Sequence, residues 1–154
     1  MKSRKNNFQV QEATIEDIDG IYALLLQLID SIDNTEGLNE HVVRKNILHT
    51  FDNETEKIFI AVYKECVIGC IYLSQHQSLL HDAPSIIIDE LIVDEHYRGM
   101  GVGDMLFERA VAYARENNFA ELEVSTEFSN KKAADFYRLL GFKERGILFE
   151  QDLD

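Results

Sequence analysis

Apolar and polar positions change period several times in the second half of the chain. Ser85 to Val93 is an apolar run read as a strand, and it gives way to Arg98-Gly99-Met100-Gly101-Val102-Gly103. Met105, Leu106, Ala110, Val111 and Ala114 then repeat on one face of a helix that Asn117-Asn118 ends. Phe119 to Thr126 alternates as a strand, Asn130 to Leu140 is helical with Gly141 as its C′ residue, and Phe142 to Leu153 supplies the last strand or strands.

In the first half, Phe8 to Ala13 alternates enough for a short strand. Thr14 and Asp17 form a capping-box pattern, and Ile18, Ile21, Tyr22, Leu25, Leu28, Ile29 and Ile32 recur at helical spacing, predicting a helix over 15–32. Val42, Val43, Ile47, Leu48 and Phe51 predict a second helix over 39–51. Ile58 to Tyr63 and Cys66 to Ser74 are β-branched and aromatic runs joined by Lys64-Glu65, hence a hairpin.

The resulting order, β-α-α-β-β-β-α-β-α-β, is an α+β fold with a mixed sheet. Residues 85–93, 103–116 and 119–126 form one crossover unit, with its glycine loop at the carboxyl end of the first strand, where ligands bind in such units. The 154 residues are one domain's worth, without linker or repeat, so a single domain over 1–154 is expected, its first seven or so residues disordered.

Composition narrows the function. A formal net charge of −13 argues against nonspecific nucleic-acid binding and suits a cationic partner. The longest apolar runs fall short of a membrane span and the basic opening has no apolar h-region behind it, so a cytoplasmic protein is expected. Cys66 and Cys70 lack a metal or redox spacing and read as buried structural thiols. Five scattered histidines build no local zinc cage, so no metal is expected.

A glycine loop opening a helix leaves successive backbone N–H groups at the positive end of a helix dipole, suited to a phosphate or pyrophosphate. Downstream, Asn130-x-x-Ala133-x-x-Phe136-Tyr137-x-x-x-Gly141-Phe142 follows directly after a strand. With Arg98-x-x-Gly101-x-Gly103 and the opening Gln11 to Ile18, this pattern resembles the GNAT superfamily of acyl-CoA-dependent N-acyltransferases over nearly the whole chain.

The resemblance implies a GNAT-type, mostly antiparallel twisted sheet flanked by helices, with acetyl-CoA as acyl donor. The loop amides of Arg98, Gly99, Met100, Gly101, Val102 and Gly103 would hold the pyrophosphate. The strand before the loop would splay at a bulge, leaving backbone groups around Leu91, Ile92 and Val93 to pair with pantetheine and polarise the thioester carbonyl. Asn130 corresponds to the asparagine that contacts the cofactor arm, and Tyr137 to the tyrosine that donates a proton to the departing thiolate. A phenol is protonated at neutral pH and can do so.

The attacking amine must lose a proton. Asp89 and Glu90 stand in an otherwise apolar strand, where a carboxylate is costly to bury without a partner, and either is a candidate base or amine anchor, with Glu90 favoured. Strand alternation aims the two at opposite faces. After Gly141-Phe142 only twelve residues remain, and they either turn at Arg145-Gly146 or run as one strand that pairs with another subunit, giving a homodimer. The implied activity is direct acetyl transfer to a primary amine of a small cationic molecule. A protein lysine or N-terminal acceptor, and a non-catalytic acyl-CoA sensor, are the alternatives.

Overall fold

The computed structural model describes residues 7–31 and 38–153, in two compact units, 1–123 and 124–154. Residues 1–6, which hold most of the expected disordered start, and Ile32, the expected end of the first helix, lie outside the described residues. Among the described residues no helix is long and apolar enough to cross a membrane.

The strands lie in chain order across one sheet, β1 to β5. β1 (Gln9–Glu12) pairs antiparallel with β2 (Glu56–Tyr63), β2 with β3 (Cys66–His76), and β3 with β4 (Ser85–Val93). Lys64 and Glu65 both take positive φ (48° and 65°), the backbone that a two-residue turn needs to match strand twist, so the expected hairpin forms. α1 (Ile18–Ser31) and α2 (Glu40–Phe51) come between β1 and β2, and α3 (Val102–Glu116) between β4 and β5 (Leu122–Val124).

Local chemistry sets the helix starts. The Asp17 carboxylate accepts the Thr14 N–H at 2.8 Å at the head of a 3-10 turn (Ile15–Asp17) that runs into α1. Asn39 accepts from the Val42 N–H at 3.2 Å at the head of α2. On one face of the sheet Ile58, Ile60, Cys70 and Ile92 pack with Ile21 and Leu24 of α1 and Ile47 of α2. On the other, α3 comes so close that a Cβ on Gly69 would stand 3.0 Å from Leu106 and 3.1 Å from Val102. The glycine is what admits the helix.

Three expectations are corrected. The strand expected over 119–126 shortens to Leu122–Val124, because Ala120 and Glu121 form the approach to β4 rather than a regular ladder: Ala120 N–H donates to Pro84 O and Ile86 N–H to Glu121 O, both at 2.9 Å. In the second unit, α4 (Lys131–Leu139) ends at Gly141 with φ 95°, as its C′ role requires, but no described residue of 142–153 is in a strand. The start of that segment is folded back on α4, with Phe142 N–H bonded to Tyr137 O at 3.0 Å and Glu144 paired with Arg138. It meets no ladder partner among the described residues of its own unit. Finally, Cys70 is buried but Cys66 is exposed, since it opens β3 beside the turn.

A Cβ added to Gly20 of α1 would lie 2.6 and 2.7 Å from Cγ2 and Cβ of Val67, and rotation about χ1 of Val67 would not move that Cβ. Gly20→Ala therefore reverses the usual gain from replacing a helical glycine: overpacking of about 1–3 kcal/mol is expected to outweigh a helix-propensity gain of about 1 kcal/mol. Urea unfolding measures it, and a variant as stable as the parent would contradict the close packing of α1 on β3.

Candidate active site

The register of β3 against β4 shifts once. Tyr72 stands opposite Glu90 and Leu73 opposite Ile88, which leaves Asp89 as the extra residue of a β-bulge. A bulge breaks alternation, and here it overturns the expectation that Asp89 and Glu90 face opposite ways. Glu90 shares the face of its partner Tyr72, and Asp89 receives a hydrogen bond from Ser74, two residues along β3 on that same face. Both carboxylates therefore look toward the α1 and α2 side.

A third carboxylate joins them. Glu56, at the start of β2, accepts the Tyr72 hydroxyl on Oε1 and the Asn53 amide on Oε2, the latter at 2.7 Å. Burial, then the bond to Glu56, then the charges of Glu56 and Asp89 all raise the Tyr72 phenol, so it stays protonated. Burial also raises the Glu90 carboxyl above the ordinary glutamate value, and the Asp89 charge raises it further. Asp89, exposed on its outer side, is raised first by desolvation, pulled down by Ser74 and raised again by Glu56. The Cys70 thiol is pushed up to about 12 by burial, with the Glu90 charge adding to it, so it is inert rather than nucleophilic.

Three carboxylates on one face, Glu56 and Glu90 half-buried and Asp89 exposed, favour a proton or a cation among them. Periodicity did not single out Glu56 or Tyr72. The two-residue turn alone could not have found them: counting back from Tyr63 opposite Cys66 puts Glu56 opposite Leu73, and only a register shift between Ala61 and Val62 moves Glu56 beside Ser74 and Ile58 beside Tyr72.

Beyond the bulge, β4 outruns its neighbour. β5 is three residues long and follows directly on Glu121, which accepts the Ile86 N–H near the start of β4, while β4 continues to Val93. Asp94 N–H donates to Ile68 O at 2.8 Å, so by alternation Ile92 also turns its backbone toward β3 and Leu91 and Val93 turn theirs to the open edge. The Ile92 carbonyl is indeed 3.1 Å from where a Gly69 Cβ would stand. Of the three residues expected at that edge, Ile92 is thus turned away. The Val93 carbonyl accepts from Arg98 Nε at 3.1 Å.

After a 3-10 turn (Glu95–Tyr97), Gly99 and Gly101 take φ of 73° and 85°, and Gly101 is the N-cap of α3. Having no side chain, it leaves the first amides of a 15-residue helix without a side-chain cap, at the positive end of the helix dipole. Met105 N–H makes the first helical bond back to Gly101 O at 3.1 Å. Arg98, Gly99 and Met100 lie toward solvent, Val102 is buried against the sheet, and Gly103 is half-buried. The donors present fit a pyrophosphate: a run of amides converging at a helix start, with two glycines where a Cβ would be strained.

In the second unit, Asn130 caps α4, its Oδ1 accepting the Ala133 N–H at 3.1 Å. Tyr137 is half-buried, its ring 5.4 Å from Phe136 and 5.6 Å from Phe142. His76 and His81 line a pocket of about 200 Å³ with Ser85 and Glu121, at the opposite end of β4 from the loop. His96 is part of the 3-10 turn, 3.2 Å from Asp94, and Tyr97 packs against Phe8 and Tyr63.

Comparison with known proteins agrees with this geometry. The sequence model of the Acetyltransferase (GNAT) family matches residues 23–142. The aminoalkylphosphonate N-acetyltransferase of Salmonella typhimurium is 27% identical over 145 residues, 94% of this chain and 91% of that protein. Tyramine N-feruloyltransferase 4/11 of Nicotiana tabacum is 33% identical over 89 residues, 58% of this chain but only 36% of its own length. An uncharacterized N-acetyltransferase of Methanocaldococcus jannaschii is 36% identical over 61 residues, 40% of this chain and 27% of that protein. Among solved structures, a possible acetyltransferase from Clostridium difficile 630 has a TM-score of 0.85 at 20% identity, covering 96% of this chain and 98% of that one. An aminoglycoside acetyltransferase from an uncultured soil metagenomic sample has a TM-score of 0.80 at 18% identity, covering 97% and 99%.

The raised Glu90 carboxyl makes a stability prediction whose sign is fixed. Its folded value lies above the unfolded one, so the native state binds the proton more readily and Glu90 costs stability once pH rises past the folded value. Glu90→Gln is therefore expected to be at least as stable as the parent at pH 7, with the difference shrinking as pH falls toward the ordinary glutamate range near 4.5. Thermal unfolding across that range checks it, and a variant clearly less stable at pH 7 would mean that Glu90 is held by a favourable charge partner.

Proposed function

Since the chain belongs to the acetyltransferase (GNAT) family, we propose that it transfers an acetyl group from acetyl-CoA directly to the primary amine of a small cationic molecule. The observation that carries the cationic acceptor is the bulge at Asp89, which gathers Asp89, Glu90 and Glu56 on one face. The named activities of two relatives, on an aminoalkylphosphonate and on tyramine, support a small amine. The net charge of −13 points the same way. In this reading 1–154 is one N-acetyltransferase domain.

Coenzyme A supplies the acyl group as a thioester. The amides from Gly99 to Gly103 hold its pyrophosphate at the start of α3, and the open-edge backbone at Leu91 and Val93 positions the pantetheine and acyl carbonyl. The acceptor arrives as an ammonium ion, drawn to the carboxylates at the bulge. Glu90 takes a proton from it, directly or through water, and its raised carboxyl is a stronger base than an ordinary glutamate for that purpose. The neutral amine attacks the carbonyl carbon, forming the C–N bond as the C–S bond breaks, and the acylated nitrogen sheds its second proton to water. Tyr137 gives its phenolic proton to the thiolate, and solvent restores it. No acyl-enzyme forms, consistent with a buried Cys70 whose thiol is pushed up to about 12.

Three variants separate these roles. Gly101→Ala places a Cβ on left-handed backbone at the helix start, a penalty of about 1–2 kcal/mol, and should weaken coenzyme A binding about tenfold in calorimetric titration. Tyr137→Phe should retain that binding while kcat falls by about 10²-fold or more. Glu90→Gln should lower kcat/KM by a similar factor and flatten the acid limb of the pH profile, which in the parent rises through the raised Glu90 value. A Glu90→Gln profile that keeps its acid limb would remove Glu90 as the base.

A further inference from the structure

The turn that carries β4 into the glycine loop is held from outside the sheet by one side chain. Gln27, on α1, interrupts the apolar run of that helix and reaches across to residues 94 and 95. Its Nε2 donates to Asp94 Oδ2 at 2.8 Å, and its Oε1 accepts the Glu95 N–H at 3.1 Å. The other oxygen of Asp94 accepts the His96 N–H at 2.9 Å and lies 3.2 Å from His96 Nδ1. The Asp94 carbonyl accepts the Tyr97 N–H at 2.9 Å. The 3-10 turn is thus bonded through Asp94, and Gln27 grips Asp94 and the next amide together.

We propose that Gln27 is a positioning residue for the anion-binding loop, fixing through Asp94 and Glu95 the direction in which the amides of Gly99 to Gly103 point. The chemistry selects glutamine. A primary amide presents a donor and an acceptor in one plane, which is what a carboxylate beside an N–H requires. Glutamate could accept from Glu95 but would set a second carboxylate against Asp94. Lysine could reach Asp94 but not accept.

The far side of the turn is fixed independently. The Tyr97 ring stands 6.1 Å from Phe8 and 6.0 Å from Tyr63, which are themselves 5.4 Å apart. With the aromatic group on one side and Gln27 on the other, the loop starts from a defined position. The Asp94 carboxyl agrees: burial alone would raise it, yet the hydrogen bonds from Gln27 and His96 hold it below the ordinary aspartate range. That loop binding coenzyme A rests on the function proposed above; the tether does not.

The test uses the full chain carrying Gln27→Glu, Asp94→Asn, or both. In the double variant donor and acceptor are exchanged. The amide introduced at position 94 donates to the carboxylate introduced at position 27 and still accepts from His96, while that carboxylate accepts from the Glu95 N–H. Hydrogen exchange of amides 95–101 without ligand is expected to quicken in Gln27→Glu and return toward the parent in the double variant. Titration with coenzyme A should show about tenfold weaker binding in Gln27→Glu, restored in the double variant. In turnover, KM for acetyl-CoA should rise with kcat at saturation nearly unchanged, whereas a merely unfolded fraction would lower kcat and leave KM alone. Unchanged exchange in Gln27→Glu, or no recovery in the double variant, overturns the proposal. Exchange that behaves as expected in a protein that does not bind coenzyme A would uphold the tether and overturn the donor assignment instead.

Discussion

The register slip at Asp89 is the constraint on which the rest depends. One extra residue in β4 turns two adjacent carboxylates to the same side, where Glu56 and Tyr72 already stand. A bulge also bends its strand and raises local twist. Past that point β4 keeps its pairing with β3 as far as Val93. In the proposed function, the carboxylates that draw the amine and the edge that holds the acyl donor are consecutive on one strand.

Around that strand the first unit is arranged for close approach. Gly69 lets α3 settle against β3 and β4, which places the uncapped start of the helix at the end of the strand. Gly20 does the same for α1 on the opposite face, where Val67 fills the space a side chain would need. Gln27 then extends from α1 to the turn before the loop. Helix start, strand edge and acidic face are thus referred to one sheet, which in the proposed function keeps reorganisation on binding small.

Much of this was legible in the order of residues. The apolar run 85–93, the glycines at 99, 101 and 103 and the periodic helix after them predicted the crossover unit, because each rests on local backbone rules. The hairpin at Lys64-Glu65 was legible for the same reason. What escaped were facts about neighbours. Alternation assigned Asp89 and Glu90 to opposite faces, since a bulge is decided by pairing with β3 and not by the strand itself. Glu56 and Tyr72 lacked any motif, and Gln27 showed only as a polar break in an apolar helix. The strand expected over 142–153 had the right residue types, but strand propensity does not supply a partner, and that segment begins by folding back on α4.

In the proposed function a cationic amine and acetyl-CoA react directly on this chain. Initial rates of thiol release from acetyl-CoA, measured over a grid of acetyl-CoA and amine concentrations for a panel of mono- and polyamines, test it most directly. Release is expected to depend on amine, to be strongest for cationic acceptors and to give intersecting double-reciprocal lines, as a ternary complex requires. Parallel lines, or release indifferent to every amine, would contradict it.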